Sequence, residues 1–360
     1  MTKSELEKIY RKVAEEIGFK KDPVREGWMP KLGPNDYRCK IVHGFTKKGP
    51  VTLTVGPKGA VGMEALKLAG DYALVEKKTQ PCITLPQVWD LGNYSDRSWV
   101  ARERVEGSRP LFFCDYSMWA EKRKVAELYW NTVKIFSDVK SEKRAVDGFE
   151  YFIRERLDRW IEIGRDSRGR KNEQKQKIFR NVADEVFSFV FYETDIGKRI
   201  AYLEMELFFR NFGNTDIVLQ DDKFYMPSPN IAFFPQFYGA AYFVWNVLMY
   251  SYDRRHLDIL VDVEHWRRAF MEKCRNEKTR EVFGKAFYVL LLERVFGALL
   301  VDIPRGRSPL GTRHERDEVK AGKSEEMFVA VLKYLLEKLP TLVENKPFEE
   351  NIKKLDKLLT

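Results

Sequence analysis

The segment Trp99-Val100-Ala101-Arg102-Glu103-Arg104-Val105-Glu106-Gly107 is where the pattern of the chain turns over. Up to Gly107 the periodicity is mostly that of strands, and beyond it long helical periods take over. Trp99–Val105 reads as a strand, partnered by a second at Gln87–Leu91. The intervening Gly92-Asn93-Tyr94-Ser95-Asp96 is rich in turn formers. A strand-rich first part followed by a mostly helical remainder argues an α+β protein of two lobes. The boundaries this implies are an N-terminal helix over 1–22, a small β-rich lobe over 23–107 and a large helical lobe over 108–360.

Working outward, Tyr37, Cys39, Ile41 and His43 alternate with polar residues, Lys47-Lys48-Gly49 turns the chain, and Val51–Val55 returns. That is a β-hairpin over 37–55. A helix is predicted over 62–72. At the start, Ser4 and Glu7 have capping-box spacing, and Leu6, Ile9, Tyr10, Val13 and Ile17 follow on one helical face until Gly18. Asp22-Pro23 reads as a turn. After Gly107, helices are predicted over 117–138, 145–164, 176–191, 194–208, 238–250, 256–274, 278–300 and 325–338. A last helix starts at Pro347, with Phe348, Ile352, Leu355 and Leu359 on one face. A short hairpin interrupts them, with strands at Ile217–Leu219 and Phe224–Met226 turning at Asp221-Asp222-Lys223.

Composition narrows the class. Apolar residues make up 44% of the 360 and aromatic ones 14%, enough for a packed core and too much for a disordered chain. The 63 basic against 54 acidic residues leave a net charge of +9, which suits acidic partners. The Lys-, Arg- and Glu-rich balance with few Cys resembles that of hyperthermophile proteins. Cys39, Cys82, Cys114 and Cys274 form no C-x-x-C pair, and His43, His256, His265 and His314 have no zinc-like spacing. With no leader-like segment at the start, a reducing cytoplasm is the expected compartment. Tyr225–Tyr252 carries no charge, but Pro227, Pro229 and Pro235 break it. What remains, Phe237–Tyr250, suits a fully buried helix better than a membrane span.

The order of hairpin, helix, strand pair, helical lobe and small hairpin resembles the aminoglycoside phosphotransferase and choline kinase-like family, over roughly 28–300. Leu32-Gly33-Pro34-Asn35-Asp36-Tyr37-Arg38 looks like that family's phosphate loop. Leu85-Pro86-Gln87-Val88-Trp89-Asp90 resembles its "vPkvyd" strand. Val100–Gly107 resembles its "lvmE-x-i-x-G" hinge strand, with Glu103 as the acid, and Leu291–Gly297 resembles a helix of its large lobe. The resemblance implies a two-lobed protein kinase-like fold, with a nucleotide cleft near Gly33, Asn35 and Glu103.

It also implies chemistry, and there the residues depart from the pattern. Kinase catalysis is positioning plus charge neutralisation around the transferred phosphoryl, with Mg²⁺ on oxygen ligands. The third-strand lysine of "v-l-K-v" is matched by Thr54 in Val51-Thr52-Leu53-Thr54-Val55. Glu64 matches the helix glutamate that would pair with that lysine. The "H-G-D-x-x-x-x-N-i-l" loop is matched by Phe209-Arg210-Asn211-Phe212-Gly213-Asn214-Thr215-Asp216-Ile217-Val218. Phe209 replaces the histidine, Asn211 the catalytic aspartate, and Asp216 the metal-binding asparagine. Asn211 is a neutral amide and cannot act as a general base, a role worth about 10²–10⁴-fold. The second metal aspartate, expected after the small hairpin, has no carboxylate at Phe224–Pro229. The "y-D-x-a" aspartate falls in Tyr238-Gly239-Ala240-Ala241.

The reading that follows is a pseudokinase: a non-catalytic binding or scaffold protein with no cofactor, its site degenerate at Thr54, Glu64 and Asn211. Its partner would be an unidentified protein or an acidic molecule. The alternative is an active ATP- and Mg²⁺-dependent phosphotransferase, with Asp216 on the metal and Lys58 or Arg210 on the phosphates. A further alternative is nucleic-acid association through two basic stretches, 165–180 and 304–323. Phe209, Phe212 and Phe224 are expected to fill the space left by polar groups.

Overall fold

Strand β3 (Gly49–Pro57) shows how the small lobe is assembled, because its alternating residues divide two different environments. The computed structural model describes residues 3–30, 37–57, 83–94, 97–104, 109–111, 114, 116–137, 144–159, 161, 173–194, 202–209, 212–214, 216–220, 223–226, 231–250, 259–303, 318–339, 350 and 353. The chain divides into two units. Unit 1 is Met1–Leu111 with Asp216–Ile231, and unit 2 is Phe112–Thr215 with Ala232–Thr360.

In unit 1, helix α1 (Lys3–Glu16) precedes β1 (Lys20–Pro30), β2 (Tyr37–Thr46), β3, β4 (Ile83–Thr84), β5 (Val88–Tyr94), β6 (Arg97–Glu103) and β7 (Arg109–Pro110). Five strands form an antiparallel sheet in the order β1-β2-β3-β6-β5. On one face Val42, Val51, Leu53, Val55, Trp99 and Ala101 pack against Leu6, Tyr10 and Val13 of α1. Lys40 is buried on that face. Its ammonium meets the Glu7 carboxylate and lies 4.2 Å from the centroid of the Tyr10 ring. Helix α1 begins at Lys3, so Ser4 lies inside it rather than capping it, and Glu7 serves Lys40 and Arg11. Gly18 closes the helix at φ +64. Asp22-Pro23, read as a turn, lies within β1, where the register with β2 shifts between Lys21 and Glu26. A bulge absorbs the proline without ending the strand.

A second small sheet has the order β4-β11-β10-β7, with β10 (Val218–Gln220) and β11 (Lys223–Tyr225) as the expected hairpin. Strand β7 pairs with β10, and the N–H of Leu111 donates to the Ile217 carbonyl at 3.0 Å.

Unit 2 contains α2 (Trp119–Ser137), β8 (Arg144–Asp147), the π-wound α3 (Glu150–Asp158), α4 (Glu173–Ser188), β9 (Tyr202–Phe209), β12 (Ile231–Pro235), α5 (Tyr238–Tyr250), α6 (Ile259–Lys273), α7 (Glu277–Gly297) and α8 (Glu318–Lys338). Strands β12, β9 and β8 form a three-stranded sheet. The helix expected over 194–208 is therefore replaced in its latter part by β9. The one expected over 145–164 is divided into β8 and α3. Helix α5 is buried on nearly every side, as a charge-free run of its length requires. No helix among the described residues is long and apolar enough to cross a membrane. Of the helix expected from Pro347, only Glu350 and Lys353 are described.

Helices α2 and α6 are joined by a buried ion pair. Lys122 Nζ lies 2.7 Å from Asp262 Oδ1, and also donates to the Tyr116 carbonyl. Both side chains are removed from water, so deleting either leaves an uncompensated charge. Lys122→Ala is expected to destabilise unit 2 by about 3–5 kcal/mol in guanidinium unfolding. The double variant Lys122→Met/Asp262→Leu should recover most of that loss.

Candidate functional site

Thr54 lies within β3, in register with Ile41 of β2 and Val100 of β6, and is only 3% exposed. It lies on the sheet face opposite α1. That face also carries Thr52, whose Oγ is 3.0 Å from His43 Nδ1, and, directly across from Thr52, Arg102. Glu103 pairs with Val51 and has the other strand parity, so it does not share a face with Thr54. Its carboxylate accepts the Gln87 N–H at 3.2 Å, and its own N–H donates to the Gln87 carbonyl at 2.8 Å. Glu103 thus secures the start of β5. Arg102 was passed over in the sequence reading. The register alone, counted from the Thr52 pair, would have placed it beside Thr54.

Gly33, Asn35, Lys58, Glu64, Arg210 and Asn211 lie outside the described residues. Asp216 is described and partly buried, and immediately precedes Ile217 at the start of the β10 hairpin in unit 1. Among the described residues, no three His, Cys, Asp or Glu side chains come together to hold a metal. At the end of β11, Met226 is fully buried and its N–H donates to the Thr84 carbonyl at 3.0 Å.

Around the loop that follows β9, unit 2 is aromatic. Phe209 is 2% exposed and meets the Phe136 ring edge-on at 5.1 Å. Phe208 packs against Phe212 at 5.2 Å and Tyr129 at 5.3 Å, and Phe212 reaches Phe243 of α5 at 5.8 Å. Phe224, expected to join them, instead sits on β11 in unit 1, opposite Leu219 and beside Ile83. Burial pushes the Tyr129 phenol well up, so it stays neutral.

Two contacts fix the loop against α5. A Cβ at residue 239 would stand 2.3 Å from Cε1 of Phe208, so the strand and the helix approach this closely because residue 239 is glycine. A Cβ at residue 213 would stand 2.6 Å from Oδ1 of Asn246. Asn246, the polar interruption of α5, is 2% exposed and is turned to the loop. Its role was hidden in the sequence, although a lone amide in an apolar helix is a signal of a polar partner.

At its N-terminal end, α5 is held by a buried polar cluster. Tyr238 donates its hydroxyl proton to Glu293 Oε2 at 2.9 Å and accepts from Arg156 Nη2, while Arg156 Nε donates to Glu293 Oε1 at 2.5 Å. Burial raises the Tyr238 phenol far above its usual range. For Arg156, burial opposes the charge, but Glu293 and the two phenols outweigh it and the guanidinium stays protonated. The chemistry of the cluster is that of an anchor.

No protein-family model matches the chain, and no curated protein matches it. Solved structures do. The chain is similar to a thermostable mutant of aminoglycoside phosphotransferase APH(4)-Ia in a ternary complex with ADP and hygromycin B, at 9% identity and TM-score 0.53, over 90% of this chain and 97% of that one. Another such mutant, in complex with AMP-PNP and hygromycin B, matches at 11% identity and TM-score 0.53, over 91% and 98%. The apo form of the thermostable mutant matches at 10% identity and TM-score 0.52, over 90% and 98%. The chain therefore has the aminoglycoside phosphotransferase, protein kinase-like fold, α+β in class.

The contact between Phe208 and Gly239 can be tested directly. Gly239→Ala should cost about 1–3 kcal/mol through overpacking, read from thermal or chemical unfolding. Gly239→Asp should cost more, because a charge would then be buried among rings as well. Adding Phe208→Ala to Gly239→Asp should relieve part of the loss.

Proposed function

We propose that this protein is a pseudokinase: a binding or scaffold protein that keeps the phosphotransferase fold and does not transfer phosphoryl groups. The observation that carries the reading is the Phe208 ring, whose Cε1 lies 2.3 Å from where the Cβ of an aspartate would be at residue 239. The site's charge has been exchanged for close packing, which a single reverse substitution does not undo. Thr54, a buried hydroxyl within the sheet, offers no cation to a triphosphate. Phe209 and Met226, both buried apolar residues, stand at or beside two more positions where the family has polar groups.

The partner in this reading is a protein or another acidic molecule, in keeping with the net charge of +9, and the compartment is the cytoplasm. Nucleic acid is a further possible partner of the same charge. In the first basic stretch Arg180 is already committed, its guanidinium 2.6 Å from Asp158 and 3.2 Å from Asp184. The competing reading, an active enzyme, depends on Asp216 as the metal ligand.

The deciding experiment is a thermal-shift titration with ATP and GTP in the presence of Mg²⁺. A nucleotide at 100 times its Kd would add about 2.7 kcal/mol of apparent stability. The expected result is no shift, and no phosphate released or transferred. A saturable, Mg²⁺-dependent shift that Asp216→Ala abolishes would establish the active enzyme instead.

A further inference from the structure

Helices α2 and α6 run side by side in the same direction. Near their starts Lys122 meets Asp262, and toward their ends the indole N–H of Trp130 donates to the Phe270 carbonyl at 2.7 Å. Their outer faces form two adjacent stripes. At positions one turn apart, α2 presents Trp119, Arg123 and Glu127, and α6 presents Val261, His265, Arg268 and Glu272.

The far half of this surface is closed by charge pairs. Arg123 lies 3.3 Å from Glu272, and Lys273 lies 2.6 Å from Glu127. The near half is apolar and open to water. Met118 is 56% exposed, Trp119 38% and Val261 46%. The Trp119 ring meets His265 edge-on at 6.0 Å, and Val261 is one turn before His265 on the same face. Leaving so large a ring partly in water forfeits burial that tryptophan ordinarily obtains, and rings of this kind anchor binding surfaces.

Charge selects the occupant. The acids around the apolar half are each matched: Asp262 by Lys122, Glu121 by Lys124 at 3.0 Å, Glu264 by Arg267 at 3.4 Å, and Glu272 by Arg123. Arg268, exposed one turn beyond His265, has no ion-pair partner among the described residues. Both helices begin at this end, so the positive ends of their dipoles lie there too. The unmatched charge is thus positive, on a chain whose net charge is already +9.

We propose that this end of the α2–α6 pair is a docking surface for an acidic segment of a partner protein, which seats an apolar side chain on Met118, Trp119 and Val261 and a carboxylate on Arg268. The surface deepens the binding reading above, and rests on it in taking a protein as the occupant. A second copy of this chain fits it badly. A two-fold contact would set one positive patch against another, and a stable dimer buries about 800 Å² and about 20–30 residues a side, far more than these few side chains. A short segment matches the area. The ring supplies most of the affinity, and the arginine sets orientation and the rate of encounter.

The test is selection of a phage-displayed random-peptide library on the full chain, with counter-selection on the double variant Trp119→Ser/Arg268→Glu. The enriched peptides are then synthesised with a fluorescent label and titrated by anisotropy. They are expected to combine aspartate or glutamate with a large apolar residue. Trp119→Ser should weaken them by about tenfold or more. Arg268→Glu should weaken them and flatten the salt dependence, and exchanging the peptide's acids for lysine should restore binding to that variant. No enrichment, peptides that are basic or uncharged, or affinities indifferent to both single substitutions would each overturn the surface. So would a concentration-dependent dimer in sedimentation velocity, or binding to phosphatidylserine vesicles, that Trp119→Ser abolishes. If the double variant does not fold, Arg268→Glu alone serves for counter-selection, since its side chain stands in water. A chain that selects acidic peptides and also shifts with nucleotide and Mg²⁺ keeps this surface and loses the pseudokinase reading; a chain that does neither loses the surface alone.

Discussion

Strand β9 and helix α5 lie so close that a single methyl group at residue 239 would collide with Phe208. Much of unit 2 is arranged around that closeness. It buries Phe208 against Tyr129 of α2, and carries Phe212 to Phe243 and Asn246 to Gly213. Protein interiors are packed as densely as molecular crystals, so a contact this tight leaves its neighbours few alternative positions. The loop after Phe209 is consequently held by rings and by one amide.

The charges that unit 2 does bury serve the same end. Arg156, Glu293 and Tyr238 satisfy one another at the N-terminal end of α5, and Lys122 and Asp262 join α2 to α6. Arg294 lies 3.8 Å from the centroid of the Trp245 ring, so α7 also grips α5 through a cation on an aromatic face. Buried ion pairs contribute little net stability against apolar replacements, but a misaligned partner leaves an unmatched charge. They therefore penalise slippage of one helix along another. Packing supplies the stability, and the polar cluster fixes which residues of α5 face β9 and the loop.

Much of this was legible in the sequence. The alternation over 37–55 specified the β2–β3 hairpin, and the uncharged run Phe237–Tyr250 specified a buried helix. The small hairpin expected after Asp216 is β10 and β11. Strand β9 was misread because Leu, Met and Glu are good helix formers, and propensity yields to pairing with β8 and β12. The missed signal was the period of two in Leu203-Glu204-Met205-Glu206-Leu207, apolar and acidic by turns. The left-handed Phe237, at φ +70, had no such signal, since phenylalanine ordinarily avoids that conformation. Its N–H donates to Glu206, 31 positions away, which no local window contains. Arg102 was hidden differently. Its neighbourhood is set by cross-strand register, which the hairpin fixed, but its match to a hinge motif drew attention to Glu103 instead.

In the pseudokinase reading proposed above, an exchange of charge for packing would have a direction. Catalytic carboxylates and lysines are held apart from their preferred solvation, so they tax the fold that carries them, and their loss releases stability once activity is no longer selected. Replacing them with rings then makes the loss self-reinforcing. Each aromatic neighbour lowers the local dielectric and raises the cost of a returning charge. A chain that has followed this route keeps the fold's strand order and its buried helix. In the reading proposed above, what such a chain offers a partner is shape and surface charge.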